Sequence, residues 1–290
     1  STRRSRRRNQ GRLNMIASAY GLSASYRYVF PTLQASDEVV VSRPAVIQQM
    51  GGADGAYDYY GLNRYPLAPA IYVKKFTLSG ANYAAVETEL LNAQQYTVSD
   101  YYPLNRMYLY GTRRGGTAHA FYTPAKCLSF KAPETYGRNY TILPVEMQFQ
   151  LPQPWWYGVA GTEEITGDAD HPTVSAYITY NGNLIAPVVI TVMPITGSSR
   201  ITYASISNDR TAQIIAYADA VGTINGLELN TETYSALEGT FNPIYDKLTL
   251  GTNQTTWLDL VPGVNNITVS VHKADGTWKV TLAWVERWTL

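Results

Sequence analysis

The stretch Val145-Glu146-Met147-Gln148-Phe149-Gln150-Leu151 alternates strictly between apolar and polar side chains. Successive residues of a strand point to opposite faces, so this period of two puts Val145, Met147, Phe149 and Leu151 on one buried face. Shorter runs of the same kind precede it: Arg106-Met107-Tyr108-Leu109-Tyr110, Ala118-His119-Ala120-Phe121-Tyr122 and Cys127-Leu128-Ser129-Phe130. Gly115-Gly116, Pro124 and Pro144 punctuate them. From Val39 onward the chain keeps this texture, with Val, Ile, Thr and Tyr between closely spaced Gly, Pro and Asn/Asp turns, which predicts a mainly β protein.

One segment has a different period. Tyr83, Val86, Leu90 and Leu91 recur at i, i+3, i+7 and i+8, with carboxylates on other faces, the pattern of an amphipathic helix lying on a sheet. Asn82 is placed to cap it, because its side chain can accept a bond from an unpaired amide of the first turn; Glu87 and Glu89 lie towards the positive helix end.

In the second half, Tyr177–Tyr180 and Leu184–Val192 flank Asn181-Gly182, and Asn225-Gly226 and Asp275-Gly276 repeat the dipeptide. Its tolerance of positive φ predicts three tight hairpins in an antiparallel sandwich. Between the halves, Pro152-Gln153-Pro154-Trp155-Trp156-Tyr157-Gly158 breaks the strand pattern, and Gly161–Pro172 is acidic and turn-rich. The expected organisation is a basic arm and lead-in over residues 1–37, a β-sandwich-type domain with one helix over 38–160 and a second over 161–290.

At 290 residues the chain is close to the length at which one core splits in two. Hydrophobic residues make up 45% and charged ones 16%, so there is ample surface to bury and little charge to hold neighbouring chains apart. Tyrosine is in excess, 24 against 6 Phe. Two readings of that excess stand side by side: aromatic rings suit protein interfaces, and they suit strands. Positive charge gathers at one end, in Arg3, Arg4, Arg6, Arg7, Arg8 and Arg12; without them 17 basic residues face 22 acidic ones, a body of net charge −5. Such a dense run of like charge stays mobile until a partner orders it.

The longest apolar run, Leu184–Ile195, is broken by Pro187 and Pro194 and is shorter than the roughly 20 residues that span a bilayer as a helix. The arginine-rich start lacks the apolar core of a secretory signal, and a single cysteine, Cys127, leaves no internal disulfide; both fit a protein made and kept inside the cell. Motifs for chemistry are thin. His119, His171 and His272 have no metal-ligand spacing and no serine signature beside them. Gly167-Asp168-Ala169-Asp170-His171 resembles a fragment of a calcium loop without its closing Glu, and reads as a solvated linker. Glu163 and Glu164 lack an identifiable partner for a glycosidase pair. Trp155-Trp156-Tyr157 fits a packed junction better than a sugar platform, and Trp278, Trp284 and Trp288 read as core and interface anchors. These residues predict no enzyme, no cofactor and no metal site.

Two stretches carry a resemblance to the distal tail protein family of long-tailed bacteriophages. Leu260-Val261-Pro262-Gly263-Val264-Asn265-Asn266-Ile267 resembles that family's L-x-P-G-x-N-x-I turn, which leads into a late strand of its galectin-like sandwich. Physically, Pro262 presets one turn angle, Gly263 supplies an angle other residues resist, and Asn265 can bond nearby backbone. In the first half, Met50-Gly51-Gly52-Ala53-Asp54-Gly55-Ala56-Tyr57 resembles the glycine-rich turn before a strand of the family's ring domain, and Ala70–Leu78 resembles that strand. The order of elements matches over residues 38–290; the arm and residues 15–37 have no counterpart.

The resemblance implies a structural ring of six copies at the tail tip of the virion, assembled in the host cytoplasm. It would join the tail tube protein to the tail hub protein, carry receptor-binding or other peripheral proteins, and touch DNA only in transit. Its subunit contacts are expected at Tyr57, Tyr59, Tyr60 and Tyr65, and through the arm arginines. The rival readings are a carbohydrate-binding adhesion module and a tail-tube subunit of related fold.

Overall fold

The computed structural model describes residues 15–23, 25–32, 34–41, 70–96, 107–113, 120–133, 140–152, 155–198, 200–223, 226–239, 242–250 and 257–289. The chain divides into two units, residues 1–156 and 157–289. The first holds β1 (Met15–Gly21), β2 (Arg27–Val29), β3 (Ser36–Val41), β4 (Ala70–Ser79), α1 (Tyr83–Gln95), β5 (Tyr108–Arg113), β6 (Phe121–Pro124), β7 (Lys126–Lys131) and β8 (Ile142–Leu151). A long strand, β9 (Trp155–Asp168), begins there and continues into the second unit.

Two sheets build the first unit, β3-β4-β8-β7 and β6-β5-β1-β2. As the alternation of β8 predicts, Val145, Met147, Phe149 and Leu151 are all buried. Phe149 meets rings that come from the facing sheet and its end, Tyr20 at 4.7 Å and Phe30 at 6.2 Å. Two tyrosines also bond across the gap: Ala17 N donates to Tyr72 Oη at 2.8 Å and Cys127 N to Tyr20 Oη at 3.2 Å. A ring in the core with its hydroxyl on a backbone amide serves the fold itself, which accounts for part of the tyrosine excess. The lead-in ahead of residue 38, to which sequence patterning assigns no element, thus supplies β1, β2 and much of this core.

The helix forms where the sequence places it, and Asn82 Oδ1 caps it by accepting from Ala85 N at 3.0 Å. Its buried stripe is Val86 and Ala93, whereas Leu91 is exposed and Tyr83 lies at the surface. The buried pair is seven residues apart on one face, and Leu91 falls outside that face, so the packed stripe is narrower than the apolar pattern.

The second unit contains β10 (Thr173–Tyr180), β11 (Ala186–Pro194), β12 (Ile201–Asn208), β13 (Gln213–Thr223), β14 (Leu227–Asn230), β15 (Ser235–Glu238), β16 (Asn242–Pro243), β17 (Leu248–Leu250), β18 (Asp259–Leu260), β19 (Gly263–Lys273) and β20 (Thr277–Thr289). One sheet runs β10-β19-β12-β13-β17 and the other β16-β15-β14-β11-β20-β9, with β18 paired to β11. Ile206, Ile267 and Val269 from the first sheet share a core with Val188, Ile190, Val280 and Leu282 from the second.

Two sequence expectations fail here for identifiable reasons. The Asx-Gly dipeptides do not close hairpins. Asn181-Gly182 leads from β10 to β11 and Asp275-Gly276 from β19 to β20, each pair lying in different sheets, and Gly226 likewise precedes a strand outside the sheet of β13. A turn with positive φ, +71° at Gly276, serves an arch between sheets as well as a hairpin. The true hairpin β12–β13 turns at Ala212 (φ 54°) and β14–β15 at Tyr234 (φ 56°), residues that carry no turn signature. Most of the stretch expected to be broken and turn-rich, Trp155–Asp168, is the continuous strand β9, and only its end from Asp168 to His171 turns. Its Gly161 and Gly167 lie under the rings of Trp284 and Trp278, which occupy the space a Cβ would need.

Candidate functional site

The expected subunit contacts Tyr57, Tyr59, Tyr60 and Tyr65, and the arm residues Arg3, Arg4, Arg6, Arg7, Arg8 and Arg12, lie outside the described residues, as does His119. The Pro262-Gly263-Asn265 turn lies within them and holds a connected set of polar contacts. Gly263 adopts φ +94°, and a Cβ there would stand 2.9 Å from Arg210 Nη1, which donates to Val264 O at 2.9 Å. Asn265 is fully buried. Its Oδ1 accepts from Val261 N at 3.0 Å, and its Nδ2 donates to Val261 O at 2.8 Å and Gly263 O at 3.0 Å, so one side chain closes the loop onto itself.

A second buried amide, Asn208 at the end of β12, extends the cluster. Its Nδ2 donates to Asn265 Oδ1 at 3.0 Å and Asp259 O at 2.8 Å, while its Oδ1 accepts from Arg210 N at 3.2 Å. Gln213 then accepts from Asp259 N at 2.8 Å. The β12–β13 turn, β18 and the β18–β19 turn are thereby pinned to one another through groups that each have a partner, a condition for burying polar atoms without loss. Asn208 is separated from Asn265 by 57 residues, and no local pattern links them.

The first unit holds a buried charge that sequence reading passes over. Lys74 and Asp37 face each other across β3 and β4, with Nζ 3.0 Å from Oδ1 and side-chain exposures of 2% and 8%. Lys74 stands over the Phe30 ring, and Tyr72 shares a hydrogen bond with the Asp37 carboxyl. Burial raises the Asp37 pKa above the ordinary carboxylate value, outweighing the neighbouring ammonium. In the second unit Lys273 is enclosed in the same manner: its Nζ donates to Thr196 O at 2.7 Å and to Asp275 O at 2.5 Å, fastening the arch between β19 and β20.

The remaining candidates for chemistry have structural roles. Burial pushes the Cys127 thiol up to about 11, so it stays protonated near neutral pH, opposite to what a nucleophile requires. Asp168 Oδ1 accepts from Asp170 N at 3.0 Å and His171 N at 2.7 Å, folding the end of β9 into a turn. The His171 amide and imidazole hold this carboxylate below its usual range. Glu164 pairs with Lys279 at 2.8 Å. Trp156 is fully buried, edge-on to Tyr72 at 6.2 Å, and presents no face for a sugar. Tyr157 lies beneath the Arg287 guanidinium at 5.7 Å. Trp278 is a core residue whose Nε1 donates to Asp168 O at 3.3 Å.

No protein-family model and no curated protein matches the chain. Among solved structures it is similar to the Dit (gp 19.1) protein of phage SPP1, described as a paradigm of the hub adsorption apparatus in phages infecting Gram-positive bacteria. The TM-score is 0.50 at 13% sequence identity, over 94% of this chain and 93% of that one. The chain therefore has a Dit-like fold.

Proposed function

We propose that the chain is a structural component of a phage tail tip, forming a closed ring of six copies that joins the tail tube to the tail hub. The observation that carries this reading is the extent of the fold likeness, which takes in both units of the chain and nearly all of the Dit protein. A single sandwich shared with that protein would have supported far less, since sandwiches serve many functions. On this reading the second unit is the galectin-like domain and carries peripheral or receptor-binding proteins. The segment from Tyr57 to Tyr65 contributes to subunit contacts, and DNA passes the ring only in transit. The arm arginines dock on an acidic surface of a neighbouring copy or ring, since planar guanidinium forks suit carboxylates. The polar turn fixes the loop ends of the second unit, and catalysis has no part in its role.

Negative-stain imaging and native mass spectrometry of the purified chain test the proposal. Rings of six copies are expected at micromolar concentration. A protein that stays monomeric there overturns the assembly reading, and a monomer that also binds glycans would make it an adhesion module instead.

A further inference from the structure

Sheet edges expose unpaired backbone groups, and natural proteins blunt them with short strands, charges, prolines or bulges. Five end strands here are blunted in those ways. β2 and β17 are three residues long, and β16 is two residues including Pro243. β3 carries Asp37 and Glu38, and β7 has Lys126, Lys131 and a register shift between Cys127 and Ser129. By contrast, β10 has none of these devices. It is Thr173-Val174-Ser175-Ala176-Tyr177-Ile178-Thr179-Tyr180, eight uncharged residues in unbroken register with β19, and Tyr177 is 75% exposed.

Its free side has a definite polarity. Pro172 O accepts from Val271 N, and bonding alternates along an antiparallel strand, so the even-numbered residues bond to β19. Thr173, Ser175, Tyr177 and Thr179 therefore direct their N–H and C=O groups outward, and among the described residues no strand takes them. The strand is also self-complementary. Laid antiparallel on its own copy about a two-fold axis at Ala176, Thr173 meets Thr179, Val174 meets Ile178 and Ser175 meets Tyr177. Odd residues then face odd, every outward donor and acceptor finds a partner, and the smallest side chain sits where the two strands approach most closely.

We propose that β10 pairs with the β10 of a second copy in this register, making a two-fold contact between second units. A cyclic ring has no two-fold axis between its neighbours, so the contact joins two rings, or two free copies where no ring forms. It rests on the strand edge and stands or falls separately from the ring: loss of rings leaves a dimer, and loss of this contact leaves single rings.

Ala176→Cys tests the axis directly, because the facing Cα atoms of a non-hydrogen-bonded pair lie about 4.5 Å apart, within disulfide range. Under mild oxidation of the full chain, a covalent dimer is expected on a non-reducing gel. Thr202→Cys, an exposed position on β12, is expected to give none. The register is tested by sedimentation. Thr173→Lys with Thr179→Lys sets like charges opposite each other and should halve the particle mass. Thr173→Lys with Thr179→Asp sets opposite charges together and should keep it. Thr173, Thr179 and Thr202 are exposed, and at the half-buried Ala176 cysteine adds a single sulfur atom, so the fold is retained and circular dichroism checks this. Cross-linking of Ala176→Cys no greater than that of Thr202→Cys, or equal masses for the two double variants, overturns the proposal.

Discussion

Replacing Asn265 with alanine measures how much one buried amide holds the second unit together. The substitution removes four hydrogen bonds at once, to Val261 N, Val261 O, Gly263 O and Asn208 Nδ2. They are unequal losses. Gly263 is exposed, so its carbonyl regains water, and Asn208 keeps its bond to Asp259 O. The peptide groups of Val261, half-buried, are left with the deficit. A buried polar group stripped of its partner costs about 1–3 kcal/mol, so Asn265→Ala should destabilise the unit by about 3 kcal/mol. For a domain of roughly this size that amounts to a fall in Tm of about 10 °C.

Urea unfolding followed by tryptophan fluorescence is a suitable assay, because Trp278 is fully buried in the core of this unit. The midpoint should drop with the slope unchanged, since the surface exposed on unfolding stays the same. Asn265→Asp provides the control for direction. It keeps an acceptor for Val261 N but turns a carboxylate oxygen towards two carbonyls, so at neutral pH it should be at least as damaging as alanine. A loss below about 1 kcal/mol for both variants would show that water replaces the amide readily and that the turn is not pinned as described.

Gly263→Val should cost about 2 kcal/mol, from a left-handed φ that β-branched residues resist and from displacing Arg210, while rings still form; a soluble folded variant without rings contradicts the assignment of this turn to the second unit. Lys74→Met leaves the Asp37 carboxyl buried without its ammonium and should destabilise the first unit by about 3–5 kcal/mol at neutral pH, with Asp37→Leu added to it recovering most of the loss. The sign with pH follows from the raised Asp37 pKa: folded protein holds that proton more tightly than unfolded, so the Lys74→Met penalty should fade in acid and grow as pH rises through the folded value. Cys127 should resist alkylation at pH 8 until the chain unfolds, and because its pKa is raised from 9.0 to about 11, its protonated form supports folding below pH 9 and that support is lost as pH climbs towards 11. Rapid native alkylation would show that the thiol is reached without unfolding.

Legibility in the sequence followed the range of each signal. A period of two is local, so β8 and its buried face could be read from seven residues, and Asn82 as a cap from four. The partners of those faces could not. Nothing near Tyr20 or Tyr72 announces that their hydroxyls meet Cys127 and Ala17, because each contact crosses between sheets. Asn-Gly and Asp-Gly report a backbone angle and leave open which strand comes next, so the dipeptides predict hairpins where the chain passes between sheets. Glycine misled in the opposite way in β9, where it makes room for an aromatic ring and not for a turn. At the polar turn, the conformational demands on Gly263 and Asn265 were visible in one motif, whereas Asn208 and Gln213 enter only through tertiary folding.

The division into units also sharpens what the charges imply. Counted by unit, residues 1–156 carry 17 basic and 9 acidic side chains, net +8, and residues 157–289 carry 6 basic and 13 acidic, net −7. Without the six arm arginines the first unit is still +2, so the whole acidity of the body belongs to the second. If the arm docks on carboxylates of a neighbour, as we propose, charge selects a second unit as its target and disfavours another first unit. Exposed acidic residues such as Asp170 and Asp246 are there to receive it. Such an attraction acts between solvent-exposed groups and is screened within about 10 Å at 0.1 M salt. Deleting residues 1–12 should therefore weaken assembly most in dilute buffer and least in concentrated salt, where the intact chain has lost the same attraction.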